Sequence, residues 1–346
     1  MKIQSKIKIG LASIAAIMIV GCNGSASNNT DSTTTPTGNT PTTATNTDPS
    51  AKKFKIGISI PAADHSWTGG VKYWADDEAK KHPEVEFDIQ TADTADKQIT
   101  QLQAMATKHV DAVVVLAMES ATLTPIAKKL KEQGIFIVNV DRGFTDPAIA
   151  DIFVAGDNKK FGEMSAEFMG KKLNGKGNIL VLEGITCTVN TDRVTTFNSV
   201  LKAKYPGVHV LASQGADWNQ QKAQDKMTTM LTTYKQVDAI WAQDDDMALG
   251  VEKALKAAGR DKGIWILGGA GMKDIVKRVM DNDPLFPADV TYPPGMIADG
   301  IKACVEALTA TKKEDLKTFK HQDKIIEIKL IEPANAKDFY FKDSAY

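Results

Sequence analysis

The sequence predicts an α/β protein made of two doubly wound parallel-sheet lobes with a cleft between them. From Phe54 onwards, short apolar runs alternate with helical patterns, and this β-α-β-α order is typical of a parallel sheet with right-handed crossovers. The same alternation begins again near Asn178, which indicates two similar α/β units in tandem. A polar loop follows the first strand, and ligand crevices in open α/β sheets form at the carboxyl ends of the strands.

Ten short apolar runs are expected to form the strands, five in each unit. Their β-branched and aliphatic residues are typical of strands buried between helical layers. In chain order they are Ile56–Ile60, Val85–Gln90, Asp111–Leu116, Ile135–Val140, Ile152–Val154, Asn178–Leu182, Val208–Ser213, Ala239–Ala242, Ile264–Leu267 and Asp289–Tyr292. Apolar residues recur at helical spacing between these runs, so helices are expected to connect the strands.

The loop after the first strand is the expected centre of a ligand site. The strand ends at Pro61, small and polar residues follow, and Trp67, Val71 and Trp74 then recur at helical spacing. A tryptophan at the mouth of a polar loop is unusual packing for a surface and well suited to contact a ligand. The two lobes are therefore expected to close over this loop.

Residues 1–22 are expected to be a lipoprotein signal peptide. Lysines precede an apolar run from Ile9 to Val20, which is shorter than the roughly 20 residues needed to span a bilayer. The run ends in Val20-Gly21-Cys22, which resembles the lipobox of bacterial lipoproteins, where the cysteine is acylated and becomes the mature N-terminus. The alternative is an ordinary secretory signal in which Cys22 has no role. The position of the cysteine favours lipidation.

Residues 23–53 are expected to form a disordered tether between this anchor and the folded part. The segment consists largely of Thr, Asn, Ser, Pro, Gly and Ala. Such a composition offers too little apolar surface to offset the entropy lost on ordering. A tether of this kind would let an anchored domain stand away from the membrane.

Composition and missing motifs exclude several function classes. With 42 basic and 43 acidic residues and no basic block, nucleic acid is not an expected partner. The five histidines are scattered and no Cys-x-x-Cys pair occurs, so no metal is expected. Gly268–Gly271 lacks the spacing of a nucleotide loop, and no GxSxG motif occurs, so we expect neither a cofactor nor an enzyme. Cys187 and Cys304 could be paired or be separate buried thiols.

Several segments resemble ribose-type periplasmic sugar-binding proteins. The similarity is carried by Pro61–Trp67, Val140-Asp141-Arg142, Gly215-Ala216-Asp217-Trp218 and Ala239–Gly250 (AIWAQDDDMALG), each at or after a strand. It extends from about Lys55 to Leu330 in order and with compatible spacing. A transcription regulator of the same fold would need a helix-turn-helix head, where this chain has the signal peptide and tether.

This resemblance implies a type I periplasmic binding protein fold, with three crossing hinge strands joining the lobes. It places residues 54–156 and 293–322 in the N-terminal lobe, and residues 157–292 and 323–346 in the C-terminal lobe. The expected hinges lie near Gly156 and Tyr292. The implied function is that of an extracytoplasmic receptor of a sugar-importing ABC transporter, a monomer whose partner is the membrane permease.

The resemblance also implies a set of ligand-binding residues. They comprise His65, Trp67, Asp141 and Arg142 in the first lobe, Arg193, Trp218 and Asp244 in the second, Tyr292 at the hinge, and Asn190 as a further candidate. A sugar ring has an apolar face that stacks on indole, and its hydroxyls pair with carboxylates and guanidinium groups. Each tryptophan could instead be a core residue, and the Asp141–Arg142 pair could be a structural ion pair.

The predicted site favours a neutral monosaccharide or polyol, since two arginines face two aspartates. Gly269 and Ala270 stand where the family carries an aromatic residue and an aspartate, and Ala117 stands where it has a polar contact, so ribose itself is disfavoured. The sequence does not identify the sugar. It also leaves open whether the protein serves transport or acts as a sensing receptor, for example for a furanose-like autoinducer. The expected location is the outer side of a bacterial membrane, in the periplasm or at the cell surface.

Overall fold

The computed structural model describes residues 54–344 and residue 346. The predicted signal peptide, Cys22 and the tether lie outside the described residues. Over the described range the chain forms twelve strands and nine α-helices. The strands are β1 (Phe54–Pro61), β2 (Val85–Ala92), β3 (Ala112–Val115), β4 (Phe136–Val140), β5 (Ile152–Gly156), β6 (Lys176–Glu183), β7 (Gly207–Gly215), β8 (Ala239–Trp241), β9 (Trp265–Leu267), β10 (Asp289–Val290), β11 (Gln322–Ile326) and β12 (Leu330–Ile331). The helices are α1 (Ser66–Lys80), α2 (Ala95–Thr107), α3 (Ser120–Glu132), α4 (Asn158–Lys172), α5 (Thr188–Lys204), α6 (Gln220–Thr233), α7 (Asp245–Ala257), α8 (Lys273–Met280) and α9 (Met296–Ala310).

A six-stranded parallel sheet forms the centre of the first lobe. Its strand order is β11-β5-β4-β3-β1-β2. Helices α1 and α9 cover one face, and α2 and α3 cover the other. Because side chains alternate along a strand, Val114 packs in the α1 layer while Val113 and Val115 pack in the α2–α3 layer. Burial on both faces explains the continuous apolar runs of these strands.

A four-stranded parallel sheet in the order β7-β6-β8-β9 forms the centre of the second lobe. Helix α4 packs against α5, and α6 packs against α7. Two glycines permit these close approaches. A Cβ on Gly162 would lie 2.3 Å from the carbonyl oxygen of Arg193, and one on Gly250 would lie 2.2 Å from that of Gln220. The first contact brings the backbone of α4 directly against α5 at Arg193.

The chain crosses between the lobes three times. The crossings run from β5 to α4, from β10 to α9 and from β11 to β12. At the second and third, β10 and β12 pair antiparallel, and a bridge from Ala270 to Thr291 joins this pair to the second lobe. Strand β11 pairs along its whole length with β5 of the first sheet. The sequence-based lobe boundary after residue 322 therefore falls at the start of β11, and the crossing itself follows Ile326.

All ten expected strands overlap strands of the structure. The two strands that were not expected as apolar runs, β11 and β12, are a charged edge strand and a two-residue strand at the hinge. Cys187 and Cys304 are both buried and free, which confirms the separate-thiol alternative. Within residues 54–344 and 346, no helix combines the length and the apolar character needed to cross a bilayer.

Candidate functional site

A small cavity lies between the lobes, beyond the carboxyl ends of strands from both sheets. It contains about 310 Å³ of space free of protein atoms, part of which is open to solvent. Its lining residues are His65, Trp67, Asp141, Arg142, Val189, Arg193, Trp218, Asp244, Gly269, Ala270 and Tyr292. Residues of both lobes therefore line the same space.

Eight of the nine residues expected to bind ligand line this cavity together. The exception is Asn190. Its side-chain oxygen accepts a hydrogen bond from the Gly184 amide (3.0 Å), and its side-chain nitrogen donates to the Glu183 carboxylate (3.1 Å). Asn190 therefore fastens the loop between β6 and α5 rather than facing the ligand space.

Strained backbone recurs in the loops that carry the site. Asp141, Trp218, Gln243 and Ala270 have φ values of 63°, 55°, 55° and 153°, in the region that L side chains rarely adopt. Each follows a different strand, at its carboxyl end. Such conformations persist only where the surrounding structure imposes them, and they cluster at functional sites.

Trp218 is an aromatic member of the cavity wall. Its indole lies directly on the backbone at Gly184, where a Cβ would approach within 2.0 Å of the ring, so only glycine allows this position. The guanidinium carbon of Arg142 lies 5.1 Å from the ring centroid, a cation–π contact between the lobes. The indole Nε1 is buried and has no hydrogen-bond partner among the described residues. An acceptor on a ligand would satisfy this donor.

Asp141 and Arg142 form the polar wall of the first lobe. Burial raises the pKa of Asp141, although Arg142, the Tyr292 hydroxyl and Arg193 oppose this shift. Arg142 Nη1 donates to the backbone carbonyls of Ala117 (3.4 Å) and Met118 (3.2 Å). Arg142 Nε lies 3.6 Å from Asp141 Oδ2 and makes no hydrogen bond within the described part of the chain. This wall therefore keeps a donor and an acceptor for a ligand.

Arg193 is held rigidly on the second lobe. Its guanidinium lies between two aromatic rings, 3.8 Å from the centroid of Phe161 and 4.3 Å from that of Tyr292. Nε donates to Asn158 Oδ1 (2.8 Å), and Nη1 donates to the carbonyl of Gln243 (2.9 Å). No protein hydrogen bond to Nη2 occurs among residues 54–344 and 346, so Nη2 is the donor left for a ligand.

Three consecutive aspartates at the start of α7 have three different roles. Asp244 caps the helix by accepting from the Met247 amide (3.0 Å) and lines the cavity. Burial, together with the charge of Asp246, raises its pKa well above the usual value. Asp246 reaches the other lobe, where it accepts from the amide (3.1 Å) and hydroxyl (2.7 Å) of Ser66.

The third aspartate, Asp245, supports the loop that forms the back of the cavity. It accepts from the amides of Gly269 (2.9 Å) and Met272 (2.8 Å) and is hydrogen-bonded to Asp289, which accepts from the Gly271 amide (3.1 Å). Burial raises the pKa of Asp245 to about 6, and burial with the neighbouring Asp245 charge raises that of Asp289 well above normal. A single proton between these two carboxyl groups would relieve the repulsion of their charges, and the amides that both accept from hold the loop in place.

His65 is oriented by its neighbour Asp64. The His65 hydrogen bond lowers the pKa of Asp64 to about 2, so this carboxylate is ionised at neutral pH. An ionised carboxylate only accepts, so His65 Nδ1, which lies 2.6 Å from it, carries the proton. In the neutral ring, Nε2 is then an acceptor for a ligand hydroxyl.

The lobes are closed on this cavity. Besides the Asp246–Ser66 contact, the Thr188 amide of the second lobe donates to Ser120 Oγ of the first (3.2 Å). Asp141, Arg142, Arg193 and Asp244 are each at most 5 % exposed. Trp67 is equally buried, and its indole nitrogen donates to the carbonyl of Tyr292 (2.9 Å). Trp67 is thus both a packed residue and part of the cavity wall.

Sequence reasoning missed one lining residue, Val189, and three important supporting residues. Val189 lies between Thr188 and Asn190, in a threonine-rich segment with no feature that marks it as a ligand contact. Asn158 and the Asp245–Asp289 pair act behind the lining, and only the folded chain brings them together. In the described part of the chain, no group of three or more His, Cys, Asp or Glu residues is placed to hold a metal ion.

Comparison with known proteins identifies the family. The profile described as "Periplasmic binding protein domain" matches residues 56–313. The chain therefore belongs to the periplasmic binding protein family. This match agrees with the two-lobed architecture and the cleft described above.

Individual relatives share between about a fifth and a third of their aligned residues with this chain. The ribose import binding protein of Bacillus subtilis is 26 % identical over 247 residues, covering 71 % of this chain and 78 % of the relative. The xylitol-binding protein of Mycolicibacterium smegmatis is 34 % identical over 188 residues, covering 54 % of this chain and 53 % of the relative. A solved ABC transporter solute-binding protein from Bacillus halodurans with bound myo-inositol superimposes with a TM-score of 0.77 at 22 % identity, covering 86 % of this chain and all of that one. The predicted type I periplasmic binding protein fold is confirmed.

Replacing Trp218 by alanine is expected to weaken the binding of a sugar ligand about tenfold or more. A stacked aromatic ring contributes roughly 1–3 kcal/mol through buried area and ring contacts. Calorimetric titration of the variant measures the effect. Trp265→Ala is the matched control, because Trp265 packs on Phe168 at the opposite end of β9 and should leave the affinity unchanged. Wild-type affinity in the folded Trp218→Ala protein would remove Trp218 from the site.

Proposed function

We propose that the protein is the extracytoplasmic substrate-binding lipoprotein of a sugar ABC importer. Its two lobes close on a neutral monosaccharide or polyol and deliver it to a membrane permease. The observation that carries this proposal is the closed cavity between the lobes, where an indole face lies beside two aspartates and two arginines. This combination of a stacking surface with fixed donors and acceptors matches the two kinds of surface of a sugar.

The relatives support a sugar or polyol ligand. One is named for ribose import and one for xylitol binding, and a structural neighbour holds myo-inositol. These ligands differ in size and ring form but share a high density of hydroxyls and no charge. The proposed ligand of this chain shares those properties, and the protein is proposed to be a monomeric receptor rather than an enzyme.

The charge of the cavity supports a neutral ligand. Arg142 and Arg193 balance Asp141 and Asp244 when both carboxylates are ionised and His65 is neutral. An anion would bring an uncompensated charge into a closed space, which is costly. A receptor for anions would be expected to show excess arginine among the lining residues.

The loop at Ala270 supports a narrower description of the ligand. Ala270 lines the cavity where the resembling family carries an aspartate, so one acceptor for a hydroxyl is missing there. Its backbone nitrogen donates to the carbonyl of Val290 (2.7 Å) and its carbonyl accepts from the Tyr292 amide (3.0 Å), so both backbone groups are already used. We therefore propose a ligand that lacks a hydroxyl at this point or carries a carbon substituent.

Membrane anchoring through Cys22 is also part of the proposal. It rests on the Val20-Gly21-Cys22 junction and the polar segment that follows it, both of which precede the described residues. Acylation there would hold the lobes on the outer face of the membrane, close to the permease. Stable anchoring requires more than one lipid chain, since a single acyl chain binds membranes only marginally.

Matched neutral and acidic sugars test the proposed function. Thermal-shift measurements with D-ribose, xylitol and myo-inositol should reveal stabilisation by at least one neutral compound. Calorimetry with pairs such as D-galactose and D-galacturonic acid should then show weaker binding of each acid at neutral pH, because its charge is uncompensated in the cavity. Tighter binding of the acids would contradict the charge argument, and no binding of any neutral compound would contradict the proposed ligand class.

Replacing Cys22 by serine tests the anchor. The variant should leave the membrane fraction or remain unprocessed, because serine offers no thiol for acylation. Fractionation followed by mass spectrometry of the N-terminal peptide measures both outcomes. Cys187→Ser is the matched control and should remain anchored, since that thiol is buried in the second lobe. A Cys22→Ser protein that is acylated and retained like the wild type would refute lipidation at this position.

A further inference from the structure

A chain of side-chain hydrogen bonds connects the two half-sites through the hinge. Asp141 of the first lobe accepts from the Tyr292 hydroxyl (2.6 Å). The Tyr292 hydroxyl accepts from Asn158 Nδ2 (3.0 Å), and Asn158 Oδ1 accepts from Arg193 Nε of the second lobe (2.8 Å). Asn158 lies at the first crossing between the lobes and Tyr292 at the second. The hinge thus contains a continuous relay between a carboxylate and a guanidinium that both line the cavity.

The direction of every hydrogen bond in this relay is determined. Arginine only donates, so the oxygen of the Asn158 amide must face Arg193. Asn158 Nδ2 then faces the carbonyl of Gly156 (3.2 Å), which only accepts, and the Tyr292 hydroxyl. Because that hydroxyl accepts from Asn158, its own proton is free to go to Asp141. The amide at position 158 accepts on one side and donates on the other, whereas an ionised carboxylate of the same shape could only accept.

We infer that Asn158, which does not line the cavity, is a positioning residue that sets both half-sites for the ligand. The relay occupies Asp141 Oδ1 and leaves Oδ2 as the acceptor for a ligand. It occupies Arg193 Nε, while the Gln243 carbonyl takes Nη1, and so leaves Nη2 as the donor. Each lobe therefore offers the ligand one defined hydrogen bond. The relay fixes the orientation of the acceptor, Asp141 Oδ2, relative to the donor, Arg193 Nη2.

The packing around the relay leaves it little freedom. Asn158 is 8 % exposed and Tyr292 is 3 % exposed. A Cβ on Gly156 would lie 2.3 Å from the Tyr292 ring. The backbone of the first crossing therefore packs directly against Tyr292, which lies at the second crossing. A substitution at Asn158 is therefore expected to change the hydrogen bond between Tyr292 and Asp141, because the surrounding packing leaves little room for a local rearrangement.

An isosteric pair of substitutions tests this role. Asn158→Asp replaces the donor toward Tyr292 by an acceptor, so the tyrosine proton can serve the introduced carboxylate or Asp141 but not both. With whichever of D-ribose, xylitol and myo-inositol binds the wild type, we expect about tenfold weaker binding, the scale of one lost hydrogen bond to a charged group. In the Asp141→Asn background the same change should instead strengthen binding, about threefold or more. There the relay can run in reverse, from the amide introduced at position 141 through Tyr292 to the carboxylate introduced at position 158. This reversal turns the carbonyl of the introduced amide toward the ligand.

Asn158→Asp is thus expected to weaken binding in the wild type and to strengthen it in the Asp141→Asn background. Damage to the fold would weaken binding in both, so this difference identifies a positioning role. Asn219→Asp is the matched control, since it adds the same charge at the α6 N-cap, where a carboxylate can accept from Lys222 N as well as the amide does. Weakening by Asn158→Asp in both backgrounds, or by less than twofold in the wild type, would overturn the inference.

The binding experiments above rest on the proposed function. A measurement without ligand tests the relay separately from that function. In the nuclear magnetic resonance spectrum of the free protein, Asp141→Ala should shift the side-chain amide signals of Asn158, which Asp141 reaches through the Tyr292 hydroxyl. The shift should vanish in the Tyr292→Phe background. Because Asn158 and Tyr292 both lie at the hinge crossings, we expect the relay to persist when the lobes open without ligand, and unmoved signals would refute it. Absence of binding by the wild type to all three compounds would refute sugar recognition while this measurement still decides the relay.

Discussion

Four charged side chains buried in a closed cleft are the constraint on which the rest of this structure depends. Asp141, Arg142, Arg193 and Asp244 are withdrawn from water, which is costly unless the charges are balanced and hydrogen-bonded. Their formal charges cancel when both carboxylates are ionised, and half of their side-chain polar atoms make hydrogen bonds within the protein. Arg142 Nε is buried and has no hydrogen-bond partner among the described residues. A neutral ligand rich in hydroxyls would complete this arrangement without disturbing the charge balance.

The scaffold around these charges is arranged to keep them fixed. Left-handed backbone at Asp141 and Trp218 directs side chains from the ends of strands into the cleft. The Asp245–Asp289 pair fastens the loop behind the cavity, and the rings of Phe161 and Tyr292 enclose the Arg193 guanidinium. Such preorganisation reduces the entropy lost on binding. Direct contacts between the lobes, such as Ser66 with Asp246, add stability to the closed form itself.

Much of the fold could be predicted from sequence because buried parallel strands are continuous apolar runs. The edge strand β11 could not, since its residues are charged and exposed and it is defined by pairing with β5. Eight of the nine residues expected to bind ligand line one cavity, because each matches a family motif near the carboxyl end of a strand. Asn190 lies outside this lining, since proximity along the loop does not reveal which way an amide turns. Asn158 was missed because its partners, Tyr292 and Arg193, are distant in sequence.

The central claim is that the two lobes close on a neutral sugar or polyol, and small-angle X-ray scattering tests it most directly. The purified protein would be measured free and with a saturating amount of whichever of D-ribose, xylitol and myo-inositol stabilises it. The account predicts a smaller radius of gyration with ligand and a scattering curve that matches the closed structure. A radius of gyration that stays the same at saturation would contradict it, because the protein would then bind as a rigid scaffold.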